Sequence, residues 1–171
     1  MGGRTSGTDE TKGGINEGGI DHCDFDDADF DDDGFDLADF TPYLLNIAAE
    51  RESLEFSAVY RRRYGMTRPE WRVLFHLGRY GPMTATGIGR RAHIHKTKIS
   101  RAVGALEGKR CLRRETVDRD RRSDMLELLP RGHEVYRDLT LHAARFEASL
   151  RARLGARDAD TLRRILARLA R

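Results

Sequence analysis

The sequence predicts a mainly α-helical chain that carries one small β-hairpin. Three observations lead there. Apolar residues recur at helical spacing in successive segments from residue 41 onward. Thr, Pro and Gly punctuate those segments where helices would start and stop. Only residues 111–116 and 124–129 read as strands, on either side of a charged tip.

At 171 residues the chain can bury a single core with an appendage. Its charge is unevenly spread. Residues 1–39 hold thirteen Asp/Glu against two Lys/Arg, a net −11, whereas residues 40–171 hold fifteen against twenty-nine, a net +14. The first stretch is rich in Gly and Asp and shows no periodicity, so it is expected to be a disordered acidic tail. Asp29, Asp31, Asp33 and Gly34 match the first half of a calcium loop. Phe40 stands where the closing Glu is needed and no helix precedes, so a solvated tail is the stronger reading and no metal or cofactor is expected. Cys23 and Cys111 form neither a disulfide framework nor a zinc spacing. No apolar run approaches the ~18 residues of a membrane span, and the first residues are acidic rather than signal-like, which predicts a cytoplasmic protein.

Order is expected from Phe40. Thr41 is a good N-cap with Pro42 behind it, opening a helix to about Arg63 whose predicted buried side is Leu44, Leu45, Ala48, Phe56, Val59 and Tyr60. Thr67 and Glu70 form a capping box for a second helix, which Gly81-Pro82 stops. Thr84 caps a short third helix to about Ala92, and His93-Ile94-His95 is long enough only for a turn. The helix over 96–109 puts Ile99, Ala102, Val103 and Leu106 on one stripe; Thr97, Arg101, Gly104 and Gly108 fall opposite, flanked by Lys98 and Ser100. The two glycines either let that face approach another surface or mark tolerant exposed sites. After the hairpin, Pro130 opens a long helix to about Leu154 with Gly155 as its cap. Asp158 or Asp160 then starts a last helix with Leu162, Ile165, Leu166 and Leu169 on one side. Little domain remains to cover that stripe, which points to a partner subunit.

Residues 84–122 gather twelve Lys/Arg against four Asp/Glu, a net +8 in one compact unit. A basic helix followed by a basic hairpin suits one groove of a duplex and its neighbour, and such a field attracts phosphate through counterion release. A generally solvated basic surface is the bland alternative, which charge alone does not exclude.

Helix-turn-helix, charged hairpin and long framing helices together resemble the MarR family of winged helix-turn-helix transcriptional regulators. The resemblance rests on Trp71-Arg72-Val73-Leu74, on Ile99-Ser100-Arg101-Ala102-Val103 with Leu106-Glu107, on Asp120-Arg121-Arg122-Ser123 and on Leu129-Pro130-Arg131-Gly132, and it spans about residues 41–169. It implies a bacterial homodimer on double-stranded DNA, with a DNA-binding lobe at about 67–130 and dimerisation helices at about 41–63 and 131–170. The implied function is a ligand-responsive regulator, more often a repressor, that reads a pseudo-palindromic operator and is not an enzyme. By position, Lys96, Thr97, Lys98 and Ser100 would open the major-groove helix and Arg101 would hold phosphate. Arg119, Arg121 and Arg122 of wing 117–123 would reach the minor groove, with Asp120 bracing a neighbouring arginine. Guanidinium groups suit both phosphate and narrow minor grooves. Four positions depart from the family pattern: His95 as the helix cap, Arg110 where a glycine normally supplies a left-handed turn, Cys111 in place of Leu, and Leu129 in place of Thr.

Several sharper ideas remain as expectations. The family's small-molecule effectors suggest a cleft near Trp71, Phe75 and His76, though helical spacing reads all three as core. Cys111 reads first as a buried small apolar residue and second as a redox sensor, and Cys23 lies among acids that would make its thiol sluggish. His95 reads as a capping or phosphate-facing residue that would make DNA binding mildly pH-sensitive. The tail, with a reach of roughly 35 Å, would be able to visit the basic lobe as a DNA mimic. The competing class is a protein-interaction module without specific DNA readout. No nucleophile with its base, phosphate-cradling glycine loop or catalytic metal spacing argues for an enzyme.

Overall fold

The structure, a computed structural model, describes residues 34–116 and 124–170. The wing tip 117–123, with Arg119, Asp120, Arg121 and Arg122, lies outside the described residues, as do Cys23 and the three aspartates of the calcium-like run. Residues 34–40 make a small turn of their own, closed by Asp39 N–H donating to the Asp36 carbonyl at 2.9 Å.

From Thr41 the described chain runs α1 (Thr41–Tyr64), α2 (Arg68–Tyr80), β1 (Met83–Thr84), α3 (Ala85–Ala92) and α4 (Lys96–Gly108). It continues through β2 (Leu112–Thr116), β3 (Asp124–Leu128), α5 (Pro130–Leu154) and α6 (Ala156–Leu169). This is a mainly helical chain with a small antiparallel wing, as expected. The sheet, however, has three strands rather than two, in the order β1-β3-β2. Met83 pairs with Leu126 and Thr84 with Met125. A two-residue strand shows no alternation, and Gly81-Pro82 conceals it by reading only as a helix stop.

The core is built where the apolar stripes meet. Val73, Leu74, Ile88, Ile99, Leu106, Leu126 and Leu139 are essentially inaccessible, so α2, α3, α4, the sheet and the start of α5 share one interior. Two glycines let the helices come this close. A Cβ on Gly78 would sit 2.4 Å from the Tyr136 ring, and one on Gly132 would sit 2.0 Å from the Cys111 carbonyl oxygen. That same oxygen accepts the Leu129 N–H at 2.9 Å, fastening the wing's exit to its entry.

The ends of α2 and α4 are locked together. Thr67 caps α2, and its hydroxyl also donates to Glu70 Oε1 at 3.0 Å. Glu70 is buried and takes its other support from the Lys109 ammonium, which also donates to the Gly65 carbonyl at 2.8 Å. The predicted capping box is thus present, but Glu70 serves a long-range ion pair as well, which local spacing does not reveal.

Three expectations are corrected. Of the residues placed on the buried side of α1, Phe56 and Tyr60 are buried, whereas Leu44 and Ala48 are exposed. Their half of the helix extends beyond the lobe. The last helix starts at Ala156, not at Asp158 or Asp160, with Gly155 at φ 78° turning the chain directly out of α5. Asp160 instead receives Arg151 at 2.6 Å, an ion pair across the two helices. Arg110, lacking glycine's freedom, still adopts the left-handed turn at φ 56°. Cys111 N–H donates to the Leu106 carbonyl at 2.9 Å and Arg110 N–H to that of Glu107 at 2.8 Å, so the helix end is closed at the cost of backbone strain.

Candidate nucleic-acid interface

The local sequence holds α4 as a rigid rod on the surface. Ile99, Ala102, Val103 and Leu106 are buried beneath it, while Lys96, Thr97, Lys98, Ser100 and Arg101 are all exposed. His95 does cap the helix. Its Nδ1 accepts the Thr97 N–H at 3.3 Å, so an unusual residue performs the work of Asp or Ser. The turn before it is made by His93, left-handed at φ 49°, and the Ile94 N–H donates to the Gly89 carbonyl at 3.0 Å. A Cβ on Gly89 would press to 3.2 Å from the Ile94 carbonyl oxygen, which keeps α3 close to α4. At the other end of α3, Thr84 caps by accepting the Gly87 N–H at 3.0 Å.

Lys96, Thr97, Ser100 and Arg101 line one groove of about 1090 Å³ together with Thr86 and Arg90 of α3. Arg114 of β2 closes its wing side. Sequence reading missed Thr86, Arg90 and Arg114, although Arg90 carried a visible signal as an exposed base beside the turn. Lys98 points away from this set and lines a neighbouring cleft. Nothing lies within 4 Å of a Cβ built on Gly104 or Gly108, so packing within the chain does not require glycine at either position.

The net charge of the lobe overstates its free charge. Arg113 is paired with Glu115 at 2.7 Å and Glu127 at 2.8 Å, and Arg114 with Glu107 at 2.9 Å. These pairs brace the base of the wing. Arg91 lies over the Tyr80 ring, 4.1 Å from its centroid. Among the described residues Lys96, Lys98, Arg101 and Arg90 make no ion pair and remain as uncompensated cations around this groove and its neighbouring cleft.

A separate cleft of about 270 Å³ opens between α1, α2 and α5. Glu52, Phe56, Tyr60, Arg68, Trp71 and Phe146 are among its walls. Trp71 stacks on Tyr60 at 5.6 Å and meets Phe56 at 5.4 Å. Of the three residues expected near an effector cleft, Trp71 is on its wall. Phe75 packs behind it against Tyr136 at 5.2 Å, and His76 Nδ1 lies 2.8 Å from the Arg72 carbonyl. Trp71 Nε1 and Glu52 Oε2 are both buried without a hydrogen-bond partner among the described residues. Buried polar atoms are rarely left so.

Cys111 is buried, and burial pushes its thiol pKa up, which disfavours the reactive thiolate. Its place under Gly132 is that of a small core residue. The described residues hold no cluster of three metal-ligating side chains and no helix long and apolar enough to cross a membrane.

A capped, exposed basic helix on a shared core, with a tight turn before it and a braced β-hairpin after it, defines a winged helix-turn-helix DNA-binding protein. The sequence pattern of the MarR family of transcriptional regulators matches residues 64–123, the winged-helix region of this chain. Solved structures agree on the fold. A MarR/EmrR-family transcriptional regulator from Acinetobacter is 23% identical, with a TM-score of 0.71 over 80% of this chain and 96% of that one. BpsR of Bordetella bronchiseptica, whose DNA binding is regulated by 6-hydroxynicotinic acid, is 17% identical, with a TM-score of 0.72 over 80% and 97%. PcaV of Streptomyces coelicolor, solved with its natural ligand, is 22% identical, with a TM-score of 0.68 over 80% and 96%. The sequence matches no functionally curated protein.

Proposed function

We propose that the chain is a homodimeric, sequence-specific, ligand-responsive transcriptional repressor. The observation that carries this is the first two turns of α4: Lys96, Thr97, Ser100 and Arg101 exposed along one groove above a buried apolar stripe, with Lys98 beside them and their cations unpaired among the described residues. Helix 96–109 would enter the major groove, Lys96 and Lys98 favouring guanine and Thr97 and Ser100 contacting either base type. Arg101 would hold a phosphate, and wing 117–123 would reach the adjacent minor groove. In a twofold dimer the two α4 helices would read half-sites about one helical turn apart.

The partner would cover the apolar residues that this chain leaves in water at both ends of its helical region. Leu44 and Ile47 of α1 and Leu162, Ile165 and Leu166 of α6 are each at least 39% exposed. The α1–α2–α5 cleft would take the effector, an aromatic body against Trp71 and Phe146 with a polar group near Arg68. Of proteins with the same fold, NadR has been solved in complex with 4-hydroxyphenylacetate, and the DNA binding of BpsR is regulated by 6-hydroxynicotinic acid.

Selection of bound fragments from random duplex DNA tests the central claim. Enrichment of an inverted repeat is expected, and a pool that stays random would overturn it. Arg101→Ala should weaken binding to every sequence and lower the salt slope by about one. Changes at Thr97 or Lys98 should shift the preferred sequence instead.

A further inference from the structure

Beside the reading groove lies a cleft of about 280 Å³ whose walls include Arg68 and Arg72 of α2, His93 of the turn, and His95 and Lys98 at the start of α4. No carboxylate lines it. Among the described residues none of its two arginines and one lysine makes an ion pair.

Arg72 is the telling member. It is half-buried, and a buried guanidinium ordinarily sits against a carboxylate. Here its Nη1 donates to the Ala92 carbonyl at 3.2 Å, and its remaining donors have no protein partner among the described residues. Burial, and then the Arg68 charge beside it, push its pKa down. The positive ends of two 13-residue helices, α2 beginning at Arg68 and α4 at Lys96, border the same space. Burial, paired guanidiniums and helix ends all leave the cleft short of one negative charge.

We infer that this cleft is a binding site for a phosphate group. Guanidinium forks bind phosphate oxygens bidentately, and Arg68 with Arg72 supplies two of them. His95 would link the site to the reading helix. A neutral imidazole that accepts the Thr97 N–H on Nδ1 carries its proton on Nε2, and that proton is free to donate to a phosphate oxygen. An anion in the cleft thereby favours the tautomer that caps α4. The phosphate has two sources: the backbone of a bound duplex, which rests on the DNA-binding reading, or a free phosphate-bearing small molecule, which does not.

The test uses the full-length chain with two variants. Arg72→Met removes the half-buried fork, and Arg68→Gln removes an exposed one whose loss leaves the core intact, so one variant remains informative if the other misfolds. If the cleft takes the free anion, calorimetric titration with inorganic phosphate at matched ionic strength shows a single saturable site per chain, weakened about ten-fold or more by Arg72→Met and less by Arg68→Gln. Duplex binding across a salt series forms the second arm. Loss of about one unit of salt slope per variant, with no binding of free phosphate, identifies the backbone as the source. Phosphate binding with unchanged slopes identifies the free anion. No phosphate binding together with unaltered duplex slopes and affinity in a well-folded Arg68→Gln overturns the inference. A wild-type chain that binds no duplex would sink the regulator reading, while the phosphate titration still judges the cleft.

Discussion

The winged-helix lobe and the helices that flank it solve the same burial problem to different extents. In the lobe, α2, α3, α4 and the sheet hide Leu74, Ile88, Leu106 and Leu126 almost completely within one chain. In α6 no residue is buried at all, and Leu169 is 64% exposed. Both regions carry apolar stripes at helical spacing, so the difference is one of partners, not of pattern. A self-sufficient lobe presents a rigid surface, whereas α6, which buries no side chain and is tied to α5 by surface pairs such as Arg151–Asp160, depends on what covers it. Such pairs are worth little alone. In the proposed dimer, stability and assembly are therefore separable by mutation.

The largest effect should come from the lobe. Gly132→Ala places a Cβ 2.0 Å from a backbone oxygen, the Cys111 carbonyl, and neither side has a flexible side chain to move. Overpacking of this kind should cost about 3 kcal/mol, read as a lowered urea midpoint. Wild-type stability in that variant would show that the lobe is looser than its packing. Next in size, Leu166→Asp should leave the lobe's near-ultraviolet dichroism intact while sedimentation shifts from dimer to monomer and duplex affinity falls. An unchanged dimer would mean that α6 is not the covered face.

The same contrast explains what was legible in the sequence. The stripe Ile99–Ala102–Val103–Leu106 and the caps Thr67 and Thr84 are local signals, and each reappears where spacing placed it. The side of α1 was legible only in part: Phe56 and Tyr60 are buried within the chain, whereas Leu44 is left exposed, since periodicity tells that a face is apolar but not which molecule covers it. β1 was hidden because two residues cannot alternate, and the Glu70–Lys109 pair because it joins residues far apart in the chain. That the α4 residues Lys96, Thr97, Lys98, Ser100 and Arg101 are exposed was readable from the buried stripe on its other side. The cleft of Arg68, Arg72 and His93 was not, since three segments contribute to it.

A smaller gain should come from relieving strain inside the lobe. Arg110 holds φ at 56°, where an L side chain is disfavoured by roughly 1–2 kcal/mol. Arg110→Gly should therefore raise stability by about 1 kcal/mol, less the extra chain entropy of glycine, measurable as a higher melting temperature. Lower stability would indicate that the arginine side chain contributes something its exposure does not suggest.

The smallest effect concerns a seam within the flanking helices, between α1 and α5. Asp138 of α5 accepts the Tyr64 hydroxyl at 2.7 Å and the Arg63 guanidinium at 2.9 Å, joining the end of α1 to α5. The Tyr64 hydrogen bond first, and Arg63 after it, hold the Asp138 carboxyl below the usual carboxylate range. A depressed folded-state pKa means that the unfolded chain takes up the proton first as pH falls. The contribution to stability is thus present above the ordinary Asp value of about 4 and fades as pH drops through the folded one. Because the group is partly exposed, solvent and salt screen it, and the effect should be modest. Asp138→Asn should melt below wild type at neutral pH and converge towards it in acid, with the gap narrowing in high salt. A gap that stays constant with pH would show that the seam is held by packing of Tyr64 and not by its charge.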